Sequence, residues 1–508
     1  MRGLFLLSPL LLLGPAVEAV AGTDAFEQQA MEYAPAPLAG STIELGLAEA
    51  VALSLRRNTQ LQSAYLDRVV DQLNLAVAEA QFRPQGTIDL SAQQSRSPGD
   101  DAETQRSSTL SPTLEAELPT GGRIGFSWNL AQSHGETGLA AASSRVSNLS
   151  LDLSQPLLRG GGLAVGRAPL EIARIQEAIS ALSLEEQVVT VIESVINAYR
   201  SLLQEQRRLE IARLSLERTE DQLERNRAMV ERGRMARNEL VQTEASLANQ
   251  RFNVSQSEET LEQAELELLR LLNLGRDTRL RLLDTIDLDE LDTLRVDAPA
   301  VDEALDIALQ NRPDYLRLRL GRAIEDVNRM LAQNNHLWRL DLVASLGAGG
   351  EGDSARSALE ATFDERPGYS AGLQMEVPLF DPERPVRLLE SEIRLQQAHI
   401  QFAERETELR LEVERALNDL DSRWRQIGFA RQSLELARES LEIEREKLSV
   451  GRSTSFQVNA TERSLREAEQ SLLNAVVAYL NAQSVLDRVL GTTLDTWGLA
   501  LPEAGVMP

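Results

Sequence analysis

Residues 223–240 read LERNRAMVERGRMARNEL, and residues 441–458 read LEIEREKLSVGRSTSFQV. Set against each other at an offset of 218, Leu223, Val230, Gly233 and Leu240 fall on Leu441, Leu448, Gly451 and Val458. The match extends outward in steps of seven. Upstream, Val195, Leu202, Leu209 and Leu216 meet Val413, Leu420, Ile427 and Leu434. Downstream, Leu247, Val254, Leu261 and Leu268 meet Leu465, Leu472, Tyr479 and Leu486. A seven-residue apolar repeat is the mark of coiled-coil packing, and a shared register on both sides of a turn marks an internal duplication. The chain is therefore a long helical hairpin present twice.

The spacing predicts a helix over Val165–Arg232 returning through a second to Leu272, and their counterparts over Pro385–Val450 and Ser455–Leu490. A helix of about 65 residues is roughly 100 Å long at 1.5 Å per residue, too long to pack around one compact core. A further apolar series, Phe429, Leu436, Ile443 and Val450, runs two residues off the first seam, about 200° around the helix. A helix with seams on opposite sides has two neighbours, as in the wall of a cylinder. In the first repeat, Ile211 is the clearest member of that second seam.

Composition narrows the function. The 508 residues carry a net charge of −26, and Lys447 is the only lysine, so nucleic-acid phosphate would be repelled. Residues 1–21 read as a signal peptide: Arg2, an apolar run from Leu4 to Leu13, and the small-residue site Ala19-Val20-Ala21. No later stretch is apolar enough for a transmembrane helix, so a membrane crossing would have to be made by strands. There is no cysteine, and His134, His336 and His399 are scattered, which leaves a transition-metal site little to work with. No nucleophile is accompanied by a base, and no enzyme, cofactor or metal is expected. Gly347-Ala-Gly349-Gly350-Glu-Gly352 matches a dinucleotide-binding pattern in letters, but that pattern needs a βαβ unit around it. The run is expected to be a flexible surface loop.

Between the helices the period changes from 3.5 to two. Ile88, Leu90 and Ala92 alternate with polar residues, as do Leu110, Leu114, Ala116 and Leu118, then Ile124, Phe126, Trp128 and Leu130, then Leu149, Leu151 and Leu153. Four strands of about ten residues fit residues 83–158, and two more fit 337–379. The turn Pro119-Thr120-Gly121-Gly122 is tight, whereas the connections near Arg96–Ser107, His134–Arg145 and Gly347–Gly368 are expected to be long and polar. Short turns at one end and long loops at the other mark an outer-membrane barrel, with the helices on the periplasmic side.

Three paired motifs give the chain a family resemblance. Leu47–Thr59 and Val301–Pro313 open the two repeats with similar helix starts. Ser154-Gln155-Pro156-Leu157-Leu158-Arg159-Gly160-Gly161 and Glu376-Val377-Pro378-Leu379-Phe380-Asp381 lead from strand to helix. The turns at Gly233 and Gly451 complete the set. Together, over residues 43–492, these resemble the outer membrane efflux protein family, the TolC-like ducts. The resemblance implies a mainly α protein with a β-barrel portion: a homotrimer whose duplicated hairpins form an α-barrel tunnel and whose strands form one shared transmembrane barrel. Six strands per chain would give eighteen, where the best-known members have twelve. It further implies an outer-membrane channel reaching into the periplasm, a periplasmic adaptor and an inner-membrane transporter as partners, and adaptor contact at Gly233 and Gly451. Glu239 takes the place of an acidic residue used in closing the tunnel, with Arg234, Arg237 and Arg452 near enough in sequence to pair with it. At Gln457 and Ala460 this chain lacks the acidic ring of some members. The other candidate is a periplasmic coiled-coil adaptor, which would need no amphipathic strands after its first helix.

The organisation expected from sequence is then a signal peptide (1–21), an irregular segment (22–42), repeat 1 (43–273), a linker (274–300), repeat 2 (301–491) and a tail (492–508).

Overall fold

The computed structural model describes residues 42–96, 104–137, 140–233, 236–286, 291–364 and 366–499. The segment expected to be a signal peptide, nearly all of the 22–42 segment, the end of the tail and Arg234 lie outside the described residues. In order, the elements are β1 (Thr42–Leu45), α1 (Leu47–Arg57), α2 (Thr59–Ala80), β2 (Gln85–Arg96), β3 (Thr104–Glu117), β4 (Arg123–Thr137), β5 (Ala140–Pro156), α3 (Leu163–Glu231) and α4 (Arg237–Leu271). After β6 (Arg279–Leu282) and a 3-10 turn (Leu291–Leu294) come α5 (Val301–Asn311), α6 (Pro313–His336), β7 (Arg339–Gly352), α7 (Ala355–Asp364), β8 (Gly368–Glu376), α8 (Glu383–Ser449), α9 (Ser455–Leu490) and α10 (Thr493–Thr496). The chain divides into two compact units.

The first unit comprises the residues up to Asp67, Leu184–Asn311 and everything from Arg410 onward. Its core is the predicted seam: Val195, Leu202, Leu209 and Leu223 of α3 are buried, as are Val413, Leu420, Ile427, Leu434 and Leu441 of α8 and Val458, Leu465, Leu472, Tyr479 and Leu486 of α9. The second seam divides the repeats. Ile211 is buried and packs with Leu473 and Val477 of α9, so α3 has neighbours on two sides within one chain. Phe429, Leu436 and Ile443 of α8, and Val450 just past its end, are 44–71% exposed. Among the described residues, this second seam of α8 is left largely uncovered.

Residues 42–80 form a strand and two helices. Ile43 and Leu45 lie in β1, which pairs in parallel with β6, and the helix then breaks at Asn58. Its side-chain oxygen accepts from Gln60 N at 2.9 Å, an N-cap that starts α2 afresh. The same break occurs at Arg312, followed by Pro313 at the first turn of α6. The 274–300 linker is structured as well: β6 joins β1, Leu291 is buried, and Val296 N donates to the Tyr479 hydroxyl at 3.1 Å.

The second unit comprises Arg68–Ser183 and Arg312–Leu409. It holds one antiparallel sheet in the order β2-β3-β4-β5-β7-β8. The seam between repeats is the β5–β7 ladder, with Leu149 opposite Ala348 and Leu151 opposite Leu346. All six candidate strands therefore join one sheet, and those of the first repeat run 12, 14, 15 and 17 residues rather than about ten. The loop expected at His134–Arg145 is mostly ladder instead, and of that at Arg96–Ser107 residues 104–107 are strand while 97–103 lie outside the described residues. The β4–β5 pairing continues to Thr137 opposite Ala140. Backbone pairing needs no apolar residue, so the alternation marks only the part of each strand that has an apolar face.

The Gly347–Gly352 run is not a loop either. It is the end of β7, and α7 follows it. A Cβ at Gly350 would lie 2.4 Å from Thr362 N and 2.5 Å from Ala358 O, so the glycines let α7 lie flat on the strand. The Thr362 hydroxyl donates to Ser147 O at 3.1 Å, fixing the contact. β7 and β8 are antiparallel, which rules out the βαβ unit of a dinucleotide fold.

Candidate functional site

The two hairpin turns are the first candidate. At the end of α8, Gly451 has φ 74°, Gly451 N donates to Leu448 O at 3.0 Å, and Arg452 N donates to Lys447 O at 2.8 Å. This pair of bonds is a Schellman cap, which needs the left-handed conformation that glycine adopts without strain. At the end of α3, Gly233 has φ 67° and donates to Val230 O at 2.9 Å. An added Cβ at either glycine would meet nothing within 4 Å. Backbone conformation, not crowding, is what calls for glycine there.

The turns differ in how firmly they are tied. α9 opens on Thr454, whose hydroxyl accepts from Gln457 N at 3.3 Å, and Ser453 bonds the Glu444 carboxylate, which Lys447 also approaches at 3.1 Å. Those two bonds hold the Glu444 carboxyl below its ordinary range, the serine contributing more. α4 opens on Ala236, which has no side chain able to cap.

Glu239 lies in the first turn of α4 and reaches toward the start of α9, where its carboxylate accepts from Ser455 N at 3.4 Å. A carboxylate at a helix N-terminus is favourably placed against the helix dipole. Arg237 and Arg452 are exposed, and among the described residues neither forms an ion pair with Glu239. Arg234, the third arginine implied by the resemblance, lies outside the described residues.

A layer that sequence reading missed lies next to these turns. Ser215, Thr219, Gln222 and Asn226 of α3 are buried, with Thr243 of α4 and Ser455 of α9. Gln222 Nε2 donates to Asn226 Oδ1 at 2.8 Å, and Asn226 Nδ2 donates to Thr243 Oγ1 at 2.8 Å and to Ser455 Oγ at 3.0 Å. The signal was present. Thr219 and Asn226 stand three residues after Leu216 and Leu223, where a heptad carries its second apolar residue.

The sheet is the second candidate. Strand alternation and register put Ile88, Leu90, Leu110, Leu114, Phe126, Leu130, Leu151, Leu346 and Leu373 on one face. The other face is hydroxyl- and amide-rich and bonded across strands: Thr87–Thr113 at 2.6 Å, Ser111–Asn129 at 3.0 Å, Ser127–Ser150 at 2.8 Å and Ser345–Ser370 at 2.7 Å. A hollow of about 410 Å³ on this side is lined by groups that include Glu115, Arg123, Asp152 and Ser345. Apolar on one face and wet on the other is the pattern of a barrel strand with lipid outside and water inside. The Pro119–Gly122 turn is held at the end where α3 begins. Gly162 N donates to Thr120 O at 3.0 Å, as does Gln155 Nε2 at 3.1 Å, and a Cβ at Gly166 would lie 2.3 Å from Pro119 O.

Duplicated helical hairpins joined to a sheet with one apolar and one polar face define an outer-membrane duct subunit. The sequence profile of the outer membrane efflux protein family matches residues 123–274 and 304–492, well over half of the chain, which therefore belongs to that family. It is accordingly an outer-membrane transport protein and not an enzyme. Solved structures of the same fold include CusC, with 18% identity over 91% of this chain and 96% of that one at a TM-score of 0.68. Others are VceC of Vibrio cholerae (16%, 88% and 96%, 0.63) and the MtrE outer membrane channel of Neisseria gonorrhoeae (17%, 91% and 96%, 0.63). No curated protein sequence gives a significant match to this chain.

Proposed function

We propose that three copies of the chain assemble into a duct that receives cargo from a periplasmic adaptor and an inner-membrane transporter and conducts it passively to the outside. The observation that carries this reading is the pair of sheet edges. Every residue of β2 and of β8 is exposed, and among the described residues each is an edge strand with an unpaired row of backbone donors and acceptors beside an apolar face. Open edges cannot stand in hydrocarbon, where each unpaired peptide group costs several kcal/mol, so β2 of one copy and β8 of the next must pair. Three sheets of six strands then make one barrel of eighteen strands. The exposed stripe Phe429–Leu436–Ile443 on α8, with Val450 just past its end, supports the same closure among the helices.

In this reading the tip turns at Gly233 and Gly451 receive the adaptor, and the Glu239 carboxylate at the start of α9 holds the tip helices together until it docks. Deleting the gene should raise cellular retention of members of a panel of dyes, detergents, metal ions and secreted proteins, and wild-type chain should reverse the change. Unchanged retention across the whole panel would count against a duct. A periplasmic adaptor is disfavoured by the two-faced sheet, for which it would have no use.

A further inference from the structure

Above the apolar band, the same face of the sheet turns basic. Arg106 on β3 and His134 on β4 are direct cross-strand partners, on the face that carries Leu110 and Leu130. Each stands twelve residues from the turn that joins the two strands, Arg106 counted from Leu118 and His134 from Gly122. For a strand tilted by about 40° this is roughly 30 Å along the membrane normal, the thickness of the hydrocarbon core. The pair therefore stands at the outer headgroup level.

Two basic groups placed directly opposite each other repel when both are charged. Around them is a hollow of about 490 Å³ whose lining, among the described residues, includes no carboxylate. It includes Ser108, Gln132 and Gln94, which accepts from Arg106 Nε at 3.2 Å and keeps its amide free to donate. Immediately below it, a smaller hollow of about 100 Å³ is lined by Leu90, Leu110 and Leu130, which the register sets side by side, with Arg145 and with Ala355 at the start of α7. Arg145 is held in place by a bond to Asp353 O. A donor-lined hollow over an apolar one, both opening toward lipid, matches an anionic headgroup with a hydrocarbon chain beneath it.

We propose that this rim binds a phosphorylated lipid of the outer leaflet, its phosphate on Arg106 and His134 and an acyl chain along Leu90, Leu110 and Leu130. The assignment rests on the reading that the apolar face of the sheet meets the bilayer. Bound there, the lipid seals the outer rim of the duct against the leaflet.

The test titrates the full-length protein in mild detergent with bis-phosphorylated lipid A and with its dephosphorylated counterpart, counting bound lipid by native mass spectrometry. The expected result is at least tenfold weaker binding of the dephosphorylated lipid. Binding to Arg106→Gln/His134→Gln should fall as far, while Arg106→Lys retains most of it. Equal affinity for the two lipids overturns the proposal. So does undiminished binding by a well-assembled double variant, or displacement of lipid A by millimolar inorganic pyrophosphate, which would make this a soluble-anion site. If the double variant does not assemble, the two lipids compared on the wild-type protein still decide. A fluorophore on Leu114→Cys, quenched by nitroxide-labelled phospholipid, keeps the two readings apart. Without quenching, the fault lies in the face assignment. With quenching but no discrimination between lipids, it lies in the site.

Discussion

The Asn226 side chain, buried in the long helix of the first repeat, donates to the hydroxyl of Ser455 at the start of the return helix of the second, at 3.0 Å. The two repeats thus meet near their tips through a buried polar bond, set in a seam whose core is otherwise largely apolar. A hydrogen bond contributes about 1 kcal/mol net, and stranding its buried partners costs about 1–3 kcal/mol. Such a layer holds the tips in one arrangement without the cost of parting a large apolar surface.

Replacing Asn226 by Leu should therefore loosen the tips locally. The Ser455 hydroxyl and the Gln222 amide lose a partner, and amide hydrogen exchange should quicken in the last turns of α3 and the first turns of α4 and α9, with the sheet unchanged. Exchange as slow as in the wild type would show that the polar layer does not restrain the tips.

The tip glycines give a second expectation. At φ 67° and 74°, a β-branched residue is strained whatever the space around it. Gly233→Val combined with Gly451→Val should leave normal amounts of assembled protein in the outer membrane and abolish export. Full export would reduce both glycines to helix caps.

The β3–β4 hairpin can be placed by labelling, since the chain has no cysteine of its own. Thr120→Cys should be shielded from a membrane-impermeant thiol reagent in intact cells, and Ser354→Cys, exposed between β7 and α7, should react. Labelling of Thr120→Cys from outside would remove this hairpin from the barrel.

Asp314 offers a pH test. Burial pushes its carboxyl up, but Arg312 beside it and the hydrogen bond from Arg405 outweigh that and leave it below the ordinary range. A carboxyl with a depressed folded pKa stabilises fully above its unfolded value, about 3.9, and loses the contribution as pH falls through the folded value. Asp314 is bonded at 2.8 Å to Arg312 and at 2.6 Å to Arg405, so Asp314→Asn should cost about 2 kcal/mol at neutral pH. Followed by circular dichroism during thermal unfolding, the gap from wild type should narrow below about pH 3.9. A gap that does not depend on pH would mean that the loss is steric.

Sequence carried the helical part of this fold well because a seven-residue repeat is a local signal: α9 begins at Ser455 and ends at Leu490, as its pattern implies. What sequence could not carry depended on distant partners. β1 is a strand only because β6, more than 230 residues away, pairs with it. The polar extensions of β4 and β5 hold together through backbone bonds that leave no mark in hydrophobicity. In the glycine run of β7, the reason for the glycines is a helix that packs on them. Near the tips, Glu239 stood out by its place in a motif, yet its partner, the backbone of Ser455, is 216 residues further on and has no side-chain signature.

Assembly is the point on which the rest depends. Electron microscopy of the detergent-solubilised full-length protein, at a resolution that separates strands, tests it directly. The expected map has threefold symmetry, with β2 of each copy paired to β8 of its neighbour around an eighteen-strand barrel and the Phe429–Val450 stripe covered by an adjacent copy. A monomer, or a barrel closed within one chain, would contradict the duct.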